Sequence, residues 1–311
     1  MPSVTSPQII NKLHSLLPIA AMVLAILFWG LSFAGMRIVL RELSPMVVMW
    51  CRMISAFIFI LPFIKKLIPE NYQKGDWKLL VPMVLFQPCL YFFFETKALM
   101  LTTSTQAGVI AAAVPIFAII GSLFFFKEVL SRAAIAGLAI SILGVVLLTV
   151  SQGSSEAAPN PVLGNLLELA ATIFATGNIL IIKKLSGRYR PLTLIAMQII
   201  AGVIFFTPGF FQLIKTDPAI WSLQLVLILL YLGVFVSLTA FALYYWTMTK
   251  LTIAKASTFI NLIPVVVILT GWIFLGESLT PIQLLAATGV IIGVMLSQRA
   301  VRQSKIPEHQ K

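Results

Sequence analysis

The chain has 311 residues, 59% hydrophobic and only 10% charged, with 22 Lys and Arg against 10 Asp and Glu and a formal net charge of +12. Globular domains carry about a quarter charged residues, so a soluble fold is excluded and the bilayer is the expected solvent. The positive residues lie in short clusters between apolar runs, a pattern that reports membrane orientation and excludes nucleic acid as a partner.

A helix needs about 20 mostly apolar residues to cross the hydrocarbon core. Cutting the chain where charge, Pro, Gly or Ser clusters interrupt such runs predicts ten spans: 17–40, 46–64, 79–98, 104–126, 133–151, 162–182, 192–214, 222–248, 256–275 and 281–298. The first run is longer than a signal-peptide core and lacks a small-residue cleavage pattern, so it is expected to stay as the first span. The segment SQGSSEAAPNP, from Ser151 to Pro161, has linker composition, lies near mid-chain and carries no Lys or Arg. The expected organisation is a tail (1–15), a first five-helix repeat (16–151), a linker (152–161), a second five-helix repeat (162–299) and a second tail (300–311).

Alternate loops separate by charge. One set holds 17 Lys and Arg, among them Lys65, Lys66, Lys183, Lys184 and Arg188; the other holds Arg37, Arg41, Lys97 and Lys215. Positive loops stay inside, so both termini are expected in the cytoplasm, and a wrong span count would have mixed the sets.

Sliding the chain on itself reveals a repeat. An offset of 146 pairs Phe28 with Phe174, Arg37 with Lys183 and Pro45 with Pro191, and an offset of 149 pairs Pro115 with Pro264, Glu128 with Glu277 and Gly144 with Gly293. Between 115–148 and 264–297, 9 of 34 positions are identical without a gap. Apolar composition alone would not put Pro, Glu and Gly in common register. Five spans is an odd number, so the second half must enter from the opposite side: the predicted fold is an all-α membrane protein of two inverted five-helix repeats. Inverted repeats are the usual build of secondary transporters, with the site near the midplane and alternating access.

The FWGLSF segment at 28–33, the Pro115 to Leu148 and Pro264 to Ser297 segments with their Glu-bearing loops and the 5+5 layout resemble the EamA-type family of the drug/metabolite transporter superfamily, over nearly all of the chain from Leu16 to Arg299. The resemblance implies an inner-membrane carrier, often an exporter of amino acids or other metabolites, with four helices of each half around the cavity and the fifth peripheral. Small multidrug members of the superfamily carry a Glu in their first span. The first span here has no acid, so the resemblance does not extend to that proton-exchanging mechanism.

Ionisable groups inside spans are costly and mark pathways by default. Three occur: Arg52, Glu95 and Glu168. At about 1.5 Å per residue, Arg52 and Glu168 lie ~9 Å inward from the outer ends of their spans and Glu95 about 4 to 5 Å. An Arg fork suits a carboxylate or phosphate; the alternatives are a structural ion pair or, for Glu95, a snorkelling side chain. Glu168, Ala171, Ala175 and Asn178 fall on one helical stripe, and Gln87, Tyr91 and Glu95 on another. The repeat mates of Arg52 and Glu95 are Gln198 and Tyr244. Trp29, Tyr244 and Tyr245 are aromatic candidates for a substrate or cation, with interfacial anchoring or packing as the other reading. Pro115 and Pro264 are expected bends, either hinges or static kinks, and Asn261 lies just upstream of the second. Glu128 and Glu277 read only as parts of helix-start loops, with Thr280 and Gln283 as a capping box.

Catalysis is disfavoured, since His14 and His309 are in tails and no Asp falls in a span. A channel would want a continuous polar lining. The expected function is therefore secondary transport of a small amphipathic or zwitterionic metabolite such as an amino acid, by export; a lipid-linked carrier flippase or multidrug efflux is the alternative. No cofactor or metal is implied. The expected partners are a small-molecule substrate and membrane lipids, in a monomer or a homodimer.

Overall fold

The structure, a computed structural model, describes residues 7–66, 71–117, 120, 132–250 and 259–301. Glu128, Ser257 and the tails 1–6 and 302–311 lie outside the described residues. The apolar helical segments are α1 (Pro7–Val39), α2 (Pro45–Phe63), α3 (Trp77–Leu101), α4 (Ser104–Phe117), α5 (Arg132–Val150), α6 (Pro161–Leu185), α7 (Pro191–Phe205), α8 (Leu223–Lys250), α9 (Ile263–Leu275) and α10 (Pro281–Val301). Six of these, α1, α2, α3, α5, α6 and α8, are long and apolar enough to cross a membrane. Among the described residues no strand forms, and the chain is a multi-pass, all-helical membrane protein.

Local sequence explains where helices start. Pro45, Pro161, Pro191 and Pro281 open α2, α6, α7 and α10, where a missing N–H costs nothing. Asn160, Thr103 and Ser222 accept from backbone N–H groups of the first turns that follow them. The Thr280 and Gln283 capping box forms, with the Thr280 N–H donating to Gln283 Oε1 at 2.9 Å.

Interruptions are where the helices depart from expectation. The run expected at 79–98 is broken at Gln87, whose φ of −143° and ψ of 125° are extended, next to Pro88. The run expected at 192–214 ends at Phe205, and Pro208 starts a separate short helix, Pro208–Leu213. In both places proline removes a backbone donor and crowds the preceding turn. The corresponding stretch of α8, Tyr231–Ala240, is a π-helix. Both Pro115 and Pro264 follow a turn, at Ala112–Ala113 and at Asn261–Leu262 respectively, so each proline sits just after a break at the same place in its repeat.

The repeat recurs in contacts. Phe28 packs on Phe235 with centroids 5.6 Å apart, and their repeat mates Phe174 and Phe86 pack at 5.6 Å. Arg37 donates to the Leu99 carbonyl near the end of α3, and its mate Lys183 donates to the carbonyl of Met248, the mate of Leu99, at 3.1 Å. Each cation thus serves the negative end of a helix. On α5 and α10, a Cβ on Gly144 would stand 2.8 Å from the Ala286 carbonyl oxygen, and one on Gly293 would stand 2.6 Å from that of Gly137. These are the same contact seen from each helix, and the two helices run antiparallel through it. One apolar cluster fills the space among α1, α2, α3, α6, α7, α8 and α9 and reaches Ala107 of α4, and a second lies among α4, α5 and α10.

Candidate functional site

A cavity lies among α1, α2, α3, α4, α6, α8 and the segment entering α9. Neither α5 nor α10 lines it. Trp29 comes from α1, Arg52 from α2, Gln87, Tyr91 and Glu95 from α3, Asn178 from α6, and Tyr244 and Tyr245 from α8. Residues expected from separate helices thus meet at one place.

Arg52 is 2% exposed. Its Nε donates to Ser237 Oγ at 2.6 Å, one terminal nitrogen faces Met36 Sδ at 3.7 Å, and the guanidinium carbon lies 4.1 Å from the centroid of the Phe92 ring. A desolvated cation over an aromatic face gains about 2 kcal/mol. Glu95 accepts from the Tyr91 hydroxyl and acts on Arg52 electrostatically. The ion pair within 4.0 Å among the described residues is elsewhere, between Arg188 and Asp76. The guanidinium and the carboxylate therefore share the cavity without closing on each other.

The amides form a connected set. Asn178 donates to Gln87 at 2.9 Å, Gln198 donates to Asn178 at 2.9 Å, and the Tyr245 hydroxyl donates to Gln198 at 2.8 Å. The break at Gln87 removes it from the helical stripe expected with Tyr91 and Glu95, and this bond brings it back to the cavity wall. Trp29 packs on Phe241 and Tyr244, with centroids 5.0 and 5.1 Å away, and its buried Nε1–H has no partner among the described residues.

Three expected residues stand back from the cavity. Gln198 lies behind Tyr245 and lines a smaller neighbouring space with Ser237. Asn261 is buried at the turn before α9, where Ile260 and Ile263 line the wall instead. Glu168 is fully buried in α6, within electrostatic reach of Glu95, and neither of its oxygens has a hydrogen-bond partner among the described residues. Glu168 does not line the cavity: it lies one turn before Thr172 on the face of α6 that brings Thr172, Ala175 and Asn178 to the wall.

Sequence reasoning passed over Phe92, one of three adjacent phenylalanines with nothing to distinguish it. It also dismissed Glu277, whose carboxylate accepts from the backbone N–H and hydroxyl of both Ser104 and Thr105, at 2.6 to 2.9 Å. A signal was present: Gly276, with φ of 66°, turns the chain out of α9 and aims the next residue back. At the other end of the bundle, Arg188 grips Asp76 with two nitrogens at 2.8 and 3.2 Å while the Tyr189 hydroxyl donates to it at 2.7 Å. The Arg188 hydrogen bonds, followed by that of Tyr189, hold the Asp76 carboxyl down at about 2, and burial pushes Tyr189 up to about 12.

The model of the EamA-like transporter family matches residues 16–150 and again 162–298. An uncharacterized transporter of Archaeoglobus fulgidus is 27% identical over 277 residues, 89% of this chain and 96% of that protein. A probable terminal-alkyne amino-acid exporter of Streptantibioticus cattleyicolor is 27% identical over 198 residues, 62% of this chain and 63% of that protein. A crystal structure with a TM-score of 0.62 and 17% identity covers 92% of this chain and 98% of its own, which speaks to the fold alone.

Proposed function

The chain belongs to the EamA-like transporter family, and from that premise we propose that it is a secondary transporter that exports a small zwitterionic metabolite, such as an amino acid, across a cell inner membrane by alternating access between two inverted five-helix repeats. The observation that carries this reading is the Arg52 guanidinium, buried at the cavity wall with Glu95 on the same wall and, among the described residues, no carboxylate within ion-pair distance. A ligand with an anionic and a cationic group satisfies both at once; burial of either charge alone is expensive. The aromatic wall of Trp29, Phe241 and Tyr244 supplies apolar area for the rest of the ligand. The amino-acid exporter among the relatives supports the same class.

Inversion is supported by the antiparallel, reciprocal α5 and α10 contact, because a two-fold axis relating antiparallel helices runs perpendicular to them. Ten crossings with both termini in the cytoplasm follow from the alternation of loop charge. Pro115 and Pro264, each beside a helix break lining the cavity, are the points where the repeats bend.

The test compares metabolites released by cells making the wild type, Arg52→Lys and Arg52→Ala at matched membrane levels. A zwitterion enriched outside wild-type cells should fall at least about tenfold with Arg52→Lys, because an ammonium cannot reproduce the planar fork, and vanish with Arg52→Ala. An unchanged release by well-expressed Arg52→Ala removes the assignment.

A further inference from the structure

We propose that Glu277 is a latch: it locks the outer mouth of the carrier, so the substrate-free protein rests open to the cytoplasm and loads its cargo there. This rests on the alternating-access reading above.

The latch joins the two segments that would have to part. α4 is broken at Ala112–Ala113, and its portion from Ser104 to Ala111 lies toward the end of the bundle that holds Arg37 and Glu277. α9 follows the equivalent break, and its last turn leads through Gly276 to Glu277 at that same end. Ala111 of the first segment and Ile263 of the second both line the cavity. Glu277 therefore ties the tip of one cavity wall, from the first repeat, to the tip of the adjoining wall, from the second.

The fit is built in on both sides. Glu277 takes up the N–H groups at the start of α4 that have no partner within the helix, where a carboxylate is also favoured by the helix dipole. A Cβ on Gly271 would stand 2.4 Å from Thr105 Oγ1, so only glycine lets α9 come this close. Around the latch the polar side chains are buried and mutually satisfied: Thr102 donates to Asn165 at 2.8 Å, Asn165 donates to Gln106 at 2.7 Å, and both Gln106 and Gln283 donate to Gln152 Oε1 at 2.6 Å. Apart from Gln152, which lies in the linker, these come from both repeats.

The repeat makes the other end a control. The mates of Ser104 and Thr105 are Ile253 and Ala254, which have no hydroxyl; the mate of Gly276 is Lys127; and the mate of Asn165 is Ile19. The two hydroxyl bonds of the latch therefore have no counterpart in the sequence of the other half. Two states that would be equal in a perfectly symmetric carrier differ by these hydroxyl bonds, which the half-exposed Arg188 and Asp76 pair at the other end offsets only in part, and the population shifts toward the latched one.

The experiment places a single cysteine, Ala175→Cys, on the cavity wall in a protein with Cys51 and Cys89 replaced, and labels intact cells with a membrane-impermeant maleimide. A permeant maleimide gives the total. The wild-type background should label slowly from outside. Glu277→Gln, and separately the double variant Ser104→Ala with Thr105→Val, should raise the outside rate by roughly 10-fold or more, while Asp76→Asn should not raise it. Unchanged outside labelling in both latch variants, at wild-type thermal stability, overturns the latch. Equal labelling of the wild-type background from both sides would instead overturn the alternating-access reading itself, and a purely structural role for Glu277 would lower yield and melting temperature with no change in the labelling ratio.

Discussion

The two ends of the helix bundle are tied together by opposite means. At the Asp76 end the tie is a formal ion pair, bidentate and short, yet the Arg188 side chain is 33% exposed, so water and salt compete for it. At the Glu277 end no cation is within 4.0 Å of the carboxylate among the described residues; it is held by four donors, two of them backbone, in a region where Ser104 and Gln106 are wholly buried. Net charge is thus a poor guide to strength. What distinguishes the ends is which partner is buried: Asp76 is buried under a half-exposed Arg188, whereas Glu277 is half-buried and its donors on Ser104 and Thr105 are fully buried, so losing the carboxylate strands donors that water cannot reach.

The comparison can be broken by removing either tie. Glu277→Ala strands donors of Ser104 and Thr105 and should cost about 3 kcal/mol of stability, read by thermal unfolding in detergent; a loss below about 1 kcal/mol would mean that water already reaches them. Asn165→Leu removes the amide that joins Thr102, Gln106 and Thr149, with an expected cost of about 2 kcal/mol in the same assay. Gly276→Ala keeps every side chain of the latch but forces Ala into a left-handed φ of 66°; about 1 kcal/mol is expected, and no loss would show that the loop re-forms in another conformation.

The smallest effect belongs to the Asp76 end, where Asp76→Asn should act mainly through pH and salt. The folded carboxyl sits at about 2, below its ordinary 3.8, so its contribution is present above about 3.8 and is lost as pH falls through about 2. A pH titration of the melting temperature should therefore show an acid-side drop in the wild type that is reduced in Asp76→Asn, and raising the salt concentration should shrink the difference between them at neutral pH. A difference that survives high salt would place this tie in the same buried class as the latch.

Much of this was legible in the chain. Loop charge, apolar run length and the 146 and 149 offsets anticipated the helices, and residues such as Arg52, Tyr91 and Glu95 were identified as candidates because a polar group inside a span is conspicuous. They meet at one cavity because a membrane interior leaves such groups few other places to go. Glu168 shows the limit of that reasoning. Its helical stripe was visible, but how far along that stripe the cavity extends is a packing outcome: the wall reaches Thr172 and stops one turn short of the carboxylate.

By itself the sequence determined what local rules and solvent decide: an all-helical membrane chain, helix starts at Pro45, Pro161, Pro191 and Pro281, the internal repeat and the family resemblance that it carries. Tertiary structure alone decided what depends on distant neighbours. Glu277 meets Ser104 across 173 residues, Arg188 meets Asp76 across 112, and Phe92 lies under Arg52 because α2 and α3 pack as they do. Periodicity and composition describe each helix against its solvent. Which side chain lies opposite which is set by the packing of whole helices, and that information is spread over all of them.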